Sequence, residues 1–136
     1  MTPNTQPRRR FSLERHRLRS ADFARIYRYG RRAQGDSFAV LVLENDRGHS
    51  RLGLSVSKRN ARRAVQRNRV RRIFREAFRL SLPALPAGLD VVMIATERGL
   101  DPALARTRAD LELLVGRALQ KKPRRPPPER ETEAGP

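Results

Sequence analysis

The segment RNRVRRIFREAFR, residues 67–79, carries six arginines in thirteen positions and one acid, Glu76. Turned at about 100° per residue, as a helix requires, it splits into two faces. Val70, Ile73, Phe74 and Ala77 gather on one, with Phe78 at its edge. Asn68, Arg72, Arg75 and Arg79 gather on the opposite one, flanked by Arg69 and Arg71, while Arg67 falls near the apolar edge. The apolar face needs a layer to cover it, so this helix belongs to a folded domain. On the other face, like charges three and four apart oppose the helix by a few tenths of a kcal/mol per pair. Solvated helix faces normally mix signs. A stripe of one sign suits a surface that is relaxed when it meets phosphates. The two-faced pattern blurs upstream, where Ala64 and Val65 fall on the polar side. Either the helix starts near residues 61–63 and these two touch a neighbouring loop, or the register shifts there.

Working outward, SADFARIYRYG (residues 20–30) reads as a helix with Ser20 as N-cap, Asp22 in the first turn and Gly30 at the end. Phe23, Ile26 and Tyr27 share a face. A short strand at residues 32–34 opens the sheet. SFAVLVLEN (37–45) is apolar enough for a buried strand, and RLGLSVS (51–57) alternates with Leu52, Leu54 and Val56 inward. Joined by DRGHS, the two are expected to form a hairpin. After the arginine helix, LPALPAG breaks the chain, and DVVMIAT (90–96) is a third apolar strand. Asp101 and Pro102 supply an N-cap and an N1 proline. Leu104, Leu111, Leu114, Val115 and Ala118 then mark an amphipathic helix to about residue 120. The order α-(β)-β-β-α-β-α predicts a small α+β domain, one sheet with helices on a face. The domain spans residues 11–120. Residues 1–10 and 121–136, rich in proline and charge and poor in apolar residues, read as disordered tails.

The whole chain of 136 residues has 31 basic and 14 acidic side chains, a net charge of +17. Such an excess strains a compact domain unless a polyanion offsets it, nucleic acid before anionic membrane. No apolar run approaches a membrane span and the N-terminal residues lack a signal-peptide core. There is no cysteine, which excludes disulfides and thiolate metal sites. The expected location is cytoplasmic. Arginine supplies all but three of the cations. That choice suits bidentate phosphate contacts. Arginine-biased codon usage explains the preference equally well, but not the total charge. Lys58 and Arg59, where the chain leaves the second strand of the expected hairpin, extend the basic surface of the helix.

SVSKRNARRAVQRNRVRRIFREAFR (residues 55–79) resembles the signature of the bacterial ribonuclease P protein subunit, whose helix carries an Arg-Asn-Arg motif, here Arg67-Asn68-Arg69. RLRSADFARIYRYGRR is similar to that family's first helix and LDVVMIA to its last strand, so the resemblance covers residues 11–119. It implies a ribosomal-protein-like fold with a left-handed β-α-β crossover, a hand that general rules disfavour. It implies a protein that binds a catalytic RNA in a 1:1 complex as a monomer. Together they remove the 5′ leader of precursor tRNA, the RNA holding the catalytic Mg2+. Carried over by position, Lys58 and Arg59 match paired cations before the helix. Arg67, Asn68, Arg69 and Arg72 match the RNA-facing motif, and Arg71 and Arg75 match cations near the leader. Arg79 continues the stripe. Phe23 and Tyr27 match aromatics of the leader cleft, with Phe38 opening the neighbouring strand. On spacing alone, Phe23 and Tyr27 suit core packing better; the resemblance turns both toward the cleft, Tyr27 with its polar tip first. Residues 60–63 depart from the Gly-Asn-Ala-Val turn of many members.

No active site is legible in the chain itself. His16 and His49 read as surface residues. Glu44, Asp46 and His49 match no established metal spacing. Asp110 and Glu112 do not face each other on a helix. No phosphate loop and no nucleophile–base motif is present. The residues point to a binding subunit. The other readings are a ribosomal RNA-binding protein of similar fold, or a basic DNA-binding module without a helix-turn-helix or zinc pattern.

Overall fold

The computed structural model describes residues 16–122. In chain order the elements are α1 (Ser20–Tyr29), β1 (Arg31–Gln34), β2 (Phe38–Glu44), β3 (Arg51–Ser55), α2 (Ala64–Ser81), a 3-10 turn (Leu82–Ala84), β4 (Leu89–Ala95) and α3 (Leu104–Gln120). The strands form one sheet in the order β1-β2-β4-β3. β2 pairs antiparallel with β1 and with β4, placing Val40 opposite Ala33 and Met93. β3 pairs with β4 in parallel, Leu52 beside Val91.

The expected hairpin between β2 and β3 therefore does not form; β4 lies between them. The physical reason is in the strands' own composition. β2 and β4 are buried along nearly their whole length, on both faces. Strands of that kind occupy the middle of a sheet and need a neighbour on each edge. The parallel β3–α2–β4 unit brings the arginine helix across the sheet.

Helices cover both faces, not one. Phe38, Val40, Val42, Leu52, Val91 and Met93 face α2 and α3, where Val70, Phe74, Phe78, Leu111, Leu114 and Val115 complete the larger core. Leu41, Leu43 and Val92 point the other way, under Ile26 and Tyr29 of α1 and under Leu18. Each fully buried side chain of this size contributes about 1.5–3 kcal/mol. Ile73, expected in the core face of α2, is only half-buried. Val65 is exposed, so the small apolar residues at the start of α2 cover nothing.

Two helix starts differ from expectation. Arg19, not Ser20, is the N-cap of α1; its N–H donates to Asp22 Oδ2 at 3.1 Å, so the first-turn acid does the capping. α3 starts at Leu104 with Ala103 in the cap position, so Asp101 and Pro102 lie before the helix. Gly30 ends α1, where an added Cβ would meet the Ile26 carbonyl oxygen at 2.6 Å.

Charged groups also tie elements together. Arg31 on β1 donates to the carbonyls of Leu119 and Lys121 at 3.1 and 2.9 Å and to Glu44 at 2.7 Å. A cation at the C-terminal carbonyls of a helix complements its dipole. Arg51 on β3 donates to both carboxylate oxygens of Asp90 on β4 and to Asp22 of α1. Those acids hold its guanidinium above its ordinary pKa, chiefly through the Asp90 hydrogen bond.

Candidate nucleic-acid interface

α2 forms a ridge between two grooves. The first, about 830 Å³, opens between α2, β3 and the segment leading into α1. Leu18, Phe23, Leu52 and Gly53 line its apolar part, and Arg17, Arg71 and Arg75 its basic part. Gly53 is there for space: a Cβ would come 2.5 Å from Phe23 Cζ and 3.0 Å from Leu18 Cδ1. The second groove, about 1090 Å³, opens between the β3–α2 and β4–α3 loops, with Lys58, Arg59, Arg62, Arg69 and Arg98 along it.

The expected contact residues fall into distinct environments. Arg72 is exposed between the two grooves. Arg71 and Arg75 turn to the first groove, Lys58, Arg59 and Arg69 to the second. The Arg75 guanidinium is pulled below its ordinary pKa, first by burial and then by the positive charges of Arg71, Arg72 and Arg17. It stays protonated, so this is a cation held among cations, the condition an incoming phosphate relieves. Asn68 is exposed and its Oδ1 accepts from Arg71 at 3.1 Å, orienting that guanidinium.

Arg67 lines neither groove. Its Nη1 donates to the carbonyls of Ala61 and Arg62 at 3.1 and 2.9 Å, so it fastens the loop before α2. Arg79 is spent on Glu76, its Nε donating to Oε1 at 3.1 Å with a second bond from Nη2 to Oε2. That hydrogen bond raises Arg79 above its ordinary pKa and holds Glu76 below the usual carboxylate range.

Of the aromatics, Phe23 is half-buried and lines the first groove while packing against the smaller core. Tyr27 is 43% exposed and stacks beside it, centroids 6.4 Å apart at 27°. Phe38 does not belong to this groove. It is 2% exposed and packs on Phe74 at 5.2 Å. Its parity along β2 sends it to the face opposite Leu41 and Leu43, inside the larger core.

The surface reading of His16 changes as well. His16 is buried, its Nδ1 2.7 Å from the Ser50 carbonyl oxygen, with the His49 ring edge-on at 5.4 Å. Asp110 and Glu112 form i,i+4 surface pairs with Arg106 and Arg108. Among the described residues, no group of three or more His, Cys, Asp or Glu comes together that could hold a metal ion. Nor is any helix among them long and apolar enough to cross a membrane. Sequence reasoning missed Arg98, which stands in no motif, and gave no role to Arg17 and Arg62, which lie within the first-helix and signature segments; the fold brings all three to the grooves. The proposed tails lie outside the described residues, save Lys121 and Lys122.

A mixed four-stranded sheet with three helices, one of them an arginine-faced ridge, defines a small basic α+β domain. The family model described as Ribonuclease P matches residues 13–119, and the chain belongs to that family, the bacterial ribonuclease P protein components. It is 48% identical over 76 residues to the Ribonuclease P protein component of Coxiella burnetii, covering 56% of this chain and 62% of that one. It is 42% identical over 85 residues to the corresponding component of Salmonella paratyphi A, covering 62% of this chain and 71% of that one. The matched segment thus spans less than two thirds of the Coxiella protein. Among solved structures, a Staphylococcus aureus RNase P protein mutant with defective mRNA degradation activity superposes with a TM-score of 0.69 at 29% identity, covering 88% of this chain and 98% of that one. The RNase P protein of Thermotoga maritima gives 0.65 at 32% identity, covering 74% and 96%.

Proposed function

We propose that this chain is the protein subunit of a ribonuclease P holoenzyme, an endoribonuclease that removes the 5′ leader of precursor tRNA in the cytoplasm. One observation carries the reading beyond family membership: α2 holds a row of guanidinium groups between two grooves, and the first groove joins an apolar wall containing Phe23 to Arg71 and Arg75. Cations beside an aromatic platform suit a single strand, whose bases stack on the ring and whose phosphates meet the charges. In this reading the leader lies in the first groove and the catalytic RNA meets the ridge through Asn68, Arg69 and Arg72. Arg67 serves by fixing the loop that carries Arg62, and Arg79 contributes less than its neighbours. In this reading the chemistry belongs to the RNA, which holds the Mg2+.

The test is reconstitution of the full chain with the ribonuclease P RNA of its own organism in 1:1 ratio. At a Mg2+ concentration where the RNA alone is slow, the protein should accelerate release of the intact leader and leave a mature 5′ end. No acceleration, together with recovery of the protein on ribosomes, would assign it instead as a ribosomal RNA-binding protein.

A further inference from the structure

The second groove is built from two loops that are far apart in sequence and stapled together at one residue, through its side chain and its backbone carbonyl. Asn60 is almost fully buried. Its Oδ1 accepts from the N–H and the hydroxyl of Ser57 at 2.9 and 3.1 Å. Its Nδ2 donates to the Glu97 carbonyl at 3.1 Å, and its own carbonyl accepts from the Leu100 N–H at 2.8 Å. The β3–α2 loop, with Lys58, Arg59 and Arg62, is thereby held against the β4–α3 loop, with Arg98. Gly99, at φ +66°, makes the turn after Arg98. Five cations from three segments converge on this groove, and the acid among its lining residues is Asp101. Asp101 Oδ1 lies 3.5 Å from Arg69 Nη2, and both side chains are mostly exposed, 80% and 59%.

We propose that this groove is a second phosphate-binding subsite for the catalytic RNA, in which Arg98 is a contact residue and Asp101 a built-in anion that RNA displaces from Arg69. The inference rests on the function proposed above and extends it to a loop outside the Arg-Asn-Arg helix. The charge excess selects a polyanion as occupant. Its continuity with α2 through Arg69 selects the RNA that meets the ridge rather than the leader in the first groove. An exposed carboxylate–guanidinium pair is weak and easily exchanged. A phosphate offers more charge and more acceptors to the same guanidinium, so losing Asp101's charge helps binding and losing Arg98's hurts it.

The experiment measures affinity of the full chain for the ribonuclease P RNA of its own organism across a salt series. The variants are Arg98→Ala, Asp101→Asn and, as reference, Arg72→Ala, each checked for an unchanged thermal midpoint. Arg98→Ala should weaken binding about fivefold or more and flatten the salt slope by about 0.7–0.9, one phosphate. Asp101→Asn should tighten binding about two- to threefold, as expected for release of an exposed ion pair. If both leave affinity and slope unchanged while Arg72→Ala weakens binding, the subsite is refuted and the ridge reading stands. If all three are inert, the ridge reading falls, and the subsite falls with it.

Discussion

Arg51 and Asp90 face each other across the parallel β3–β4 pair in a two-bond fork, Nε to Oδ1 at 2.9 Å and Nη2 to Oδ2 at 2.8 Å, with both side chains buried. Asn45 Nδ2 donates to Asp90 Oδ1 at 2.7 Å, and Arg51 Nη1 lies 3.3 Å from Asp22 Oδ2. The cluster ties together β3, β4, α1 and Asn45, the residue that follows β2. Asp90→Ala strands a buried guanidinium and should destabilise the domain by about 3–5 kcal/mol in urea unfolding. A loss under about 1 kcal/mol would mean that Asp22 alone suffices as counter-ion.

Phe74 is the centre of the larger core, fully buried against Phe38. Phe74→Ala should cost about 3–5 kcal/mol. Ile73→Ala, one residue earlier and half-buried, should cost less than about 2 kcal/mol. Equilibrium unfolding of both variants checks the rotation of α2; equal losses would show it turned from the angle described.

How far was this legible from residues alone? The rotation of α2 was legible in part: Val70, Phe74 and Ala77 keep a helical period, but the core reaches round to Phe78, placed at the edge, and leaves Ile73, placed in the core face, half-buried. The β2–β3 hairpin was misjudged because a turn between neighbouring strands is a local signal and a parallel partner is not. Yet the clue was present: two nearly continuous apolar strands and one alternating strand name two central strands and an edge. Phe38 joins the cleft aromatics only through the family resemblance; its parity along β2 places it with Val40 and Val42 in the larger core. Arg67 and Arg79 could not be separated from Arg72 by charge, since only the fold shows one spent on carbonyls and the other on Glu76.

Phe23 packs directly on Gly53 in the wall of the first groove, where a Cβ would come 2.5 Å from its Cζ. Gly53→Ala should push the ring aside and weaken the preference for leader-bearing over mature tRNA by about tenfold, within the range of one stacked base. Affinity for the catalytic RNA should not change. Equal weakening of both would place Gly53 in the RNA interface instead.

Glu76 gives a pH signature. The Arg79 hydrogen bond holds its carboxyl below the usual range; partial burial opposes this and Arg79's charge adds to it. A carboxyl lowered in the folded state stabilises above its unfolded pKa of about 4.3 and loses that contribution as pH falls through the folded value. The side chain is 41% exposed, so the effect is small. Glu76→Gln should lower the thermal midpoint at pH 7 by no more than about 2 °C. The difference should vanish in acid; one that grows on acidification would reverse the sign of the coupling.

The central claim is that the polar face of α2 reads phosphates, and Arg72 on its exposed ridge tests it most directly. The measurement is the dissociation constant for the ribonuclease P RNA of the protein's own organism against salt, per folded molecule, for wild type and Arg72→Ala. The wild-type slope should lie near −3 to −5, about four to six phosphates. Arg72→Ala should keep its fold, weaken binding by about 1–3 kcal/mol and flatten the slope by about one contact. Unchanged affinity and slope in a folded Arg72→Ala protein would contradict the account.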